Sequence, residues 1–326
     1  MKKSLMALLS ILTAAGIAGC GAEQTAGTPT GGAGESAASK PKVYTTIYPL
    51  EYAAKRIGGD YVEVTNLIPP GVEPHDYEPT AKDMVALATA DVFAYNGSGL
   101  ELWVDKAVES LDKTKTTVVN ATEGMDLLQA AEEEHEHEEE SAGKSESEEH
   151  DHGGLDPHVW LDPSKLKEEA AKVKDALVQK DKAHAADYEK NFQQLSADLD
   201  QLDKEFKEMV AASSKKEFMV SHTAFGYLAH RYGLEQVAIS GINPADEPSP
   251  SELKELVEHV KEHQISYVLF ETLVSPKVAE VIAREAGVQT ATLNPLEGLT
   301  EDDVEAGRDY LSIMHDNAET LRAALK

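Results

Sequence analysis

Cysteine is nearly absent from this 326-residue chain: Cys20 stands alone, so no internal disulfide can brace the fold. Basic residues are scarce as well. Thirty Lys and Arg face 59 Asp and Glu, a formal charge of −29, which excludes the basic face that nucleic-acid phosphates require. A surface this acidic repels anionic lipid and attracts cations diffusely. Long apolar runs are missing too. The only one that could concern a membrane, Leu5–Ala18, has 14 residues where a spanning helix needs about 20. What remains is 41% hydrophobic and 27% charged, the make-up of a water-soluble globular chain of about two domains.

The short apolar run follows Lys2 and Lys3 and ends in small residues, the layout of a secretory signal peptide over residues 1–19, so the chain is expected to be exported. Ile17-Ala18-Gly19-Cys20 resembles the lipobox of bacterial lipoproteins, which implies that Cys20 becomes the lipidated first residue. Residues 20–41 are mostly Gly, Ala, Ser, Thr, Glu and Pro, with nothing to pack, and read as a lipidated cysteine and flexible tether. Residues 131–152 hold ten Glu, one Asp and one Lys together with His135, His137, His150 and His152. Such a segment cannot build a core and is expected to be a disordered acidic loop.

Elsewhere short β-branched runs alternate with helical patterns. Strands are expected at Val43–Ile47, Val62–Ile68, Val92–Asn96 and Thr117–Asn120, and again at Phe218–Ser221, Gln236–Ser240, Tyr267–Glu271 and Thr290–Leu293. Strands separated by helices of 10–15 residues imply parallel sheets, so the chain reads as two α/β lobes of four strands each. The lobes are placed at 42–183 and 213–326. Helix starts carry their own caps at Thr80 with Asp83, Ser249 with Glu252 and Thr300 with Asp303. Between the lobes, Tyr188, Phe192, Leu195, Leu199, Leu202, Phe206 and Met209 recur every three or four positions, which predicts one long helix within 184–212. A helix of that length can brace both lobes and disfavours wide hinge closure.

Ligands of open α/β sheets sit at the carboxyl ends of strands. There the residue type that recurs is histidine. His75 lies in PPGVEPHDYEPT, His158 in LDPHVWLDP just before a helix, His222 at the end of FMVSH, and Glu297 in LNPLEGLT. Imidazole favours zinc and other transition ions over calcium and magnesium. Three histidines and one carboxylate make a four-coordinate shell of the kind Zn2+ accepts. The remaining histidines outside the acidic loop, His184, His230, His259, His263 and His315, read as surface residues. Trp160, Trp103, Phe225 and Tyr227 are expected near the cleft or core, and Asp76, Glu78 and Asp162 are candidates to orient ligand imidazoles.

At these residues the chain resembles the metal-specific solute-binding lipoproteins of bacterial ABC importers, in particular the zinc branch. EPHDYEPT, DPHVWLDP, SHTAFGYLAHRYGL and LNPLEGLT carry the resemblance, which covers about residues 41–326. It implies two (β/α)4 lobes with parallel four-stranded sheets, joined by a long rigid backbone helix, and one metal in the interlobe cleft. It also implies delivery of Zn2+ to a membrane ABC permease rather than catalysis, by a monomer anchored through lipid to the outer face of the cell membrane. His75, His158 and His222 carry over as ligands. Manganese members place Glu at the third position and Asp at the fourth, so His222 points to zinc. Glu297 carries over as the fourth ligand, with Glu73, Glu271 or water as competitors for that corner. The acidic loop reads as a solvated linker by its Glu runs, and as a site of weak zinc capture by His135, His137, His150 and His152. Rival classes are a manganese-binding member of the same family, a zinc hydrolase and a surface adhesin. The chain has no HExxH and no Gly-x-Ser-x-Gly motif, and no repeats or aromatic stripe that an adhesin would use.

Overall fold

A computed structural model describes residues 39–130 and 154–326; the expected signal sequence, Cys20 and the acidic segment 131–152 lie outside the described residues. The first half runs β1 (Lys42–Thr45), α1 (Tyr48–Gly58), β2 (Glu63–Asn66), α2 (Ala81–Leu87), β3 (Val92–Tyr95), α3 (Val104–Ser110) and β4 (Thr117–Asn120). Two helices follow, α4 (Pro163–Lys180) and α5 (Ala185–Ala211). The second half runs β5 (Glu217–His222), α6 (Gly226–Tyr232), β6 (Glu235–Ser240), α7 (Pro250–Glu262), β7 (Tyr267–Phe270), α8 (Lys277–Ala286), β8 (Gln289–Thr292), α9 (Glu301–Glu305) and α10 (Tyr310–Ala324).

The eight strands among the described residues all pair in parallel. The sheet orders are β2-β1-β3-β4 and β6-β5-β7-β8, so the two halves repeat one topology. Central strands are apolar on both faces because helices cover both sides: Val92, Phe93 and Ala94 are fully buried in β3. In each sheet the connection reverses direction between two neighbouring central strands, β1 and β3 in one and β5 and β7 in the other. Those reversals open a crevice at the carboxyl ends of the strands.

Residues Lys40–Lys326 form one compact unit. Helix α5, 27 residues and roughly 40 Å long, buries Tyr188, Leu195, Leu199, Leu202, Phe206 and Met209. It packs on α1 and α4 along one side and on α6 and α10 along the other. A single apolar cluster therefore runs from Val43 to Leu325 through both halves. The capping boxes expected at Thr80, Ser249 and Thr300 are formed, and a fourth, Asp309 with Ser312, starts α10. No helix among the described residues is long and apolar enough to cross a membrane.

Polar contacts stitch the halves at the crevice. The Trp160 indole donates to Pro295 O at 2.7 Å, and the Tyr310 hydroxyl donates to Trp160 O at 2.6 Å. Backbone N–H groups of Tyr48 and Gly71 donate to the carbonyls of Glu297 and Leu299. The segment after β8 thus belongs to the second half by sequence and is hydrogen-bonded to the first.

Candidate metal centre

His75, His158, His222 and Glu297 converge in the crevice with their ligating atoms within 4.8 Å of one another, all four residues buried. Each arrives by a different local route. His222 is the last residue of β5, at the reversal between β5 and β7. His158 begins a short turn of helix that leads into α4, whose N-terminus Asp162 caps by accepting from Ser164 N. His75 comes from the Pro-rich loop between β2 and α2. Glu297 follows Leu296, which is held in the left-handed region at φ 60°. A leucine in that region costs of order 1 kcal/mol or more. Hydrogen bonds from Leu296 N to Asn294 Oδ1, and between Asn294 and Asn317, hold the loop there.

Five donor–donor distances match the edges of a tetrahedral shell. His158 Nε2 lies 3.3 Å from both His75 Nε2 and His222 Nε2, and Glu297 Oε1 lies 3.1 Å from His158 Nε2, 3.1 Å from His222 Nε2 and 3.4 Å from His75 Nε2. A tetrahedral centre with bonds of 2.0–2.1 Å has edges of roughly 3.3 Å. His158 Nδ1 bonds Asp156 Oδ1 at 2.8 Å, and His222 Nδ1 bonds Glu271 Oε2 at 2.6 Å. With the proton on Nδ1, both rings turn an Nε2 lone pair inward toward the carboxylate of Glu297. Converging lone pairs repel unless a cation sits among them.

Without a metal, that cation is the proton. Desolvation opposes it, yet the carboxylates of Glu271 and Glu297 hold His222 well above the usual imidazole range, and bonds to Asp156 and Glu297 raise His158. Burial would raise Glu297, but charged His222 and hydrogen bonds from His158, His222 and His75 hold it well below the carboxylate range. Desolvation lowers His75, whose buried Nδ1 has no partner. Burial, with Glu297 close by, pushes Glu73 up to about 9, a neutral acid at pH 7.

Of the alternatives for the fourth corner, Glu271 lies behind His222, accepting from both its backbone N–H and its ring. Glu73 accepts from His75 N at 3.2 Å, and its Oε2 is buried without a hydrogen bond. Neither stands in the group that Glu297 joins. The expectation for the orienting residues needs correction. Asp162 caps α4 and bridges Arg231, while Asp76 and Glu78 are exposed; the carboxylates that orient imidazoles are Asp156 and Glu271. Asp156 was readable in DPHVWLDP, two residues before His158, a span that lets its carboxylate take both the backbone and the ring N–H. Glu271 had no local signal, since it meets His222 only through the pairing of β5 with β7.

Further supports come from afar. Asn96, at the end of β3, donates to Pro157 O at 3.0 Å, and buried Glu101 accepts from the backbone N–H groups of Asn96 and Gly97 and from the hydroxyl of Thr46. A Cβ at Gly226 would collide with Asp156 Oδ2, so only glycine at that place lets the carboxylate approach α6. Trp160 packs edge-on to His158 with ring centroids 5.3 Å apart, and Tyr227 donates to Asp156 O at 3.0 Å. Phe225 is fully buried, and Trp103 packs edge-on to Tyr77 and against the apolar cluster that holds Phe93 and Leu87. Outside the crevice, His184 and His315 pair with Asp181 and Glu205, and His230 is exposed.

The chain matches the family described as ZnuA, "Zinc-uptake complex component A periplasmic", over residues 43–324. It is 41% identical over 309 residues to the "High-affinity zinc uptake system protein ZnuA" of Bacillus subtilis, covering 95% of this chain and 93% of that one. It is 39% identical over 288 residues to the "Zinc-binding lipoprotein AdcA" of Streptococcus pneumoniae, covering 88% of this chain but only 56% of that protein. Among solved structures, it is similar to the Zn(II)-bound ZnuA-like domain of Streptococcus pneumoniae AdcA. That comparison has a TM-score of 0.74 and 38% identity, with 88% of this chain and 99% of the domain covered.

Proposed function

The chain belongs to the ZnuA family of zinc-uptake components, and we propose on that premise that it captures Zn2+ outside the cytoplasm and delivers it to an ABC permease. The observation that carries this reading is the donor cage. Three imidazole nitrogens and one carboxylate oxygen are spaced for bonds near 2 Å, with their lone pairs turned inward. His75, His158, His222 and Glu297 hold the zinc, and Asp156 and Glu271 fix two of the rings. Nitrogen-rich donors favour zinc over manganese. Four protein donors also leave no corner for a reacting water, which favours binding over hydrolysis.

Equilibrium zinc titration of the purified protein with metal analysis tests the proposal. One tight ion per chain is expected, with tighter binding of zinc than of manganese; a chain without a tight site, or one that prefers manganese, overturns it. Because their surroundings raise the pKa of both His158 and His222, protons compete with zinc for these rings. Its apparent affinity falls as pH falls through the raised imidazole range.

The anchor is proposed to be a lipidated Cys20. Cys20→Ala is expected to move the protein from the membrane to the soluble or secreted fraction, since one short acyl chain alone binds only marginally and stable retention needs several. Unchanged fractionation of the variant rules out the anchor. Residues 131–152 are proposed to gather zinc weakly through His135, His137, His150 and His152. Deleting them is expected to lower the number of ions bound at micromolar zinc and to leave the tight site intact. Loss of that site would place a loop histidine in the cage.

A further inference from the structure

At the opposite end of β5 from His222, three side chains form a second convergent group. Glu217 opens the strand, and His259 and His263 stand four residues apart at the end of α7. His259 Nε2 lies 2.5 Å from Glu217 Oε1 and His263 Nδ1 lies 2.6 Å from Glu217 Oε2, one ring nitrogen on each carboxylate oxygen. The two rings stack with centroids 3.9 Å apart and 21° between planes. The three ligating atoms fall within 4.8 Å of one another.

The geometry points to a second, peripheral site for a divalent transition ion, formed by Glu217, His259 and His263. Two histidines four residues apart on one helix face are a recurring way to present a pair of nitrogens to zinc. The third donor is the harder carboxylate, which zinc also accepts. Around an ion with bonds near 2 Å the donors stand roughly 3.3 Å apart, so binding asks these contacts to open by less than 1 Å. Side-chain exposures of 19% for Glu217, 30% for His259 and 46% for His263 leave them free to do so and leave solvent to complete the shell. Beside His259 lies a cavity of about 370 Å3 whose lining includes Asp246, Glu247, Glu252 and Glu255, which raises the local cation concentration. Desolvation works against it, but hydrogen bonds from His259 and His263 hold Glu217 below the usual carboxylate range, so the anionic donor is present at neutral pH.

The site is independent of the crevice. Five residue steps along β5 separate Glu217 from His222, about 16 Å at 3.3 Å per step, too far to share an ion. It is also the weaker site. Among the described residues neither histidine has a second carboxylate behind it comparable to Asp156 or Glu271, and each such partner is worth about 10- to 100-fold in affinity. Binding about 100-fold or more weaker than in the crevice is expected.

The test uses the full chain, first loaded with one equivalent of Zn2+ and then titrated with more, while the imidazole 15N resonances of His259 and His263 are followed by NMR. Saturating shifts of both rings are expected, with His259 responding through Nε2 and His263 through Nδ1. His263→Gln and Glu217→Gln should each weaken this response at least about tenfold. His222→Ala should leave it in place, which separates the result from the fate of the crevice. Resonances that stay fixed up to millimolar zinc, or a His263→Gln response equal to wild type, would mean that the cluster only pins α7 to β5.

Discussion

Replacing His222 by alanine is expected to weaken zinc binding by two to three powers of ten. Zinc held by four protein ligands is worth about 10–16 kcal/mol, so one ligand in four accounts for about 3–4 kcal/mol, and each 1.4 kcal/mol is tenfold. At zinc 1,000 times the wild-type Kd the folded protein gains about 4 kcal/mol; after a loss of that size the same zinc supplies about 1 kcal/mol or less. The readout is the difference between zinc-loaded and zinc-free melting temperatures of one variant, so any cost to the metal-free fold cancels. His222→Glu keeps a donor but hardens it, and the zinc-to-manganese affinity ratio should narrow without inverting, since the Irving–Williams order still favours zinc. If that ratio stays at the wild-type value and His222→Ala retains the full zinc-dependent shift, His222 does not touch the ion.

The second large effect lies away from the metal. Glu169, on α4, is fully buried, and neither carboxylate oxygen has a hydrogen-bond partner among the described residues. Burial pushes its pKa from 4.5 up to about 8. The folded protein therefore keeps a proton that the unfolded chain releases between pH 4.5 and 8, and stability falls as pH rises through that window. At 1.36 kcal/mol per unit, discounted for local relaxation, the loss is about 3 kcal/mol by pH 8. Glu169→Met keeps a similar volume without the titrating group. It should match the wild type near pH 4.5, exceed it by about 3 kcal/mol at pH 8, and flatten the slope between. Thermal melts of the zinc-free proteins at the two pH values decide it; parallel curves would show that Glu169 does not carry the pH dependence.

Much of this architecture was legible in the sequence, for physical reasons that differ by element. The strands were found because parallel strands covered on both faces read as short apolar runs, as VFAY does in β3. Helix α5 was found because one stripe had to face two lobes at once. Helix α3 begins only at Val104, because Gly97 to Trp103 form a loop around the buried carboxylate of Glu101. His75, His222 and Glu297 were readable since each follows or ends a strand, and His158 since it stands in LDPHVWLDP just before α4. The residues that steady them were harder to see. Glu271, Asn96 and Gly226 act across strand pairings and helix contacts that no local spacing encodes. Asp162 was expected to orient an imidazole, but an aspartate directly before Pro163 is committed to the α4 N-terminus.

The backbone bonds across the crevice also decide how the cage would come apart. Glu297 is a second-half residue, yet its carbonyl is tied to Tyr48 at the start of α1, and its neighbours Pro295 and Leu299 are tied to Trp160 and Gly71. His222 is secured within the second half through Glu271, and the Glu297 loop is held to α10 of that half as well, through Asn294 and Asn317. A force that parts the sheets therefore bears on Glu297 from both sides, because it is the donor that bonds of both halves position.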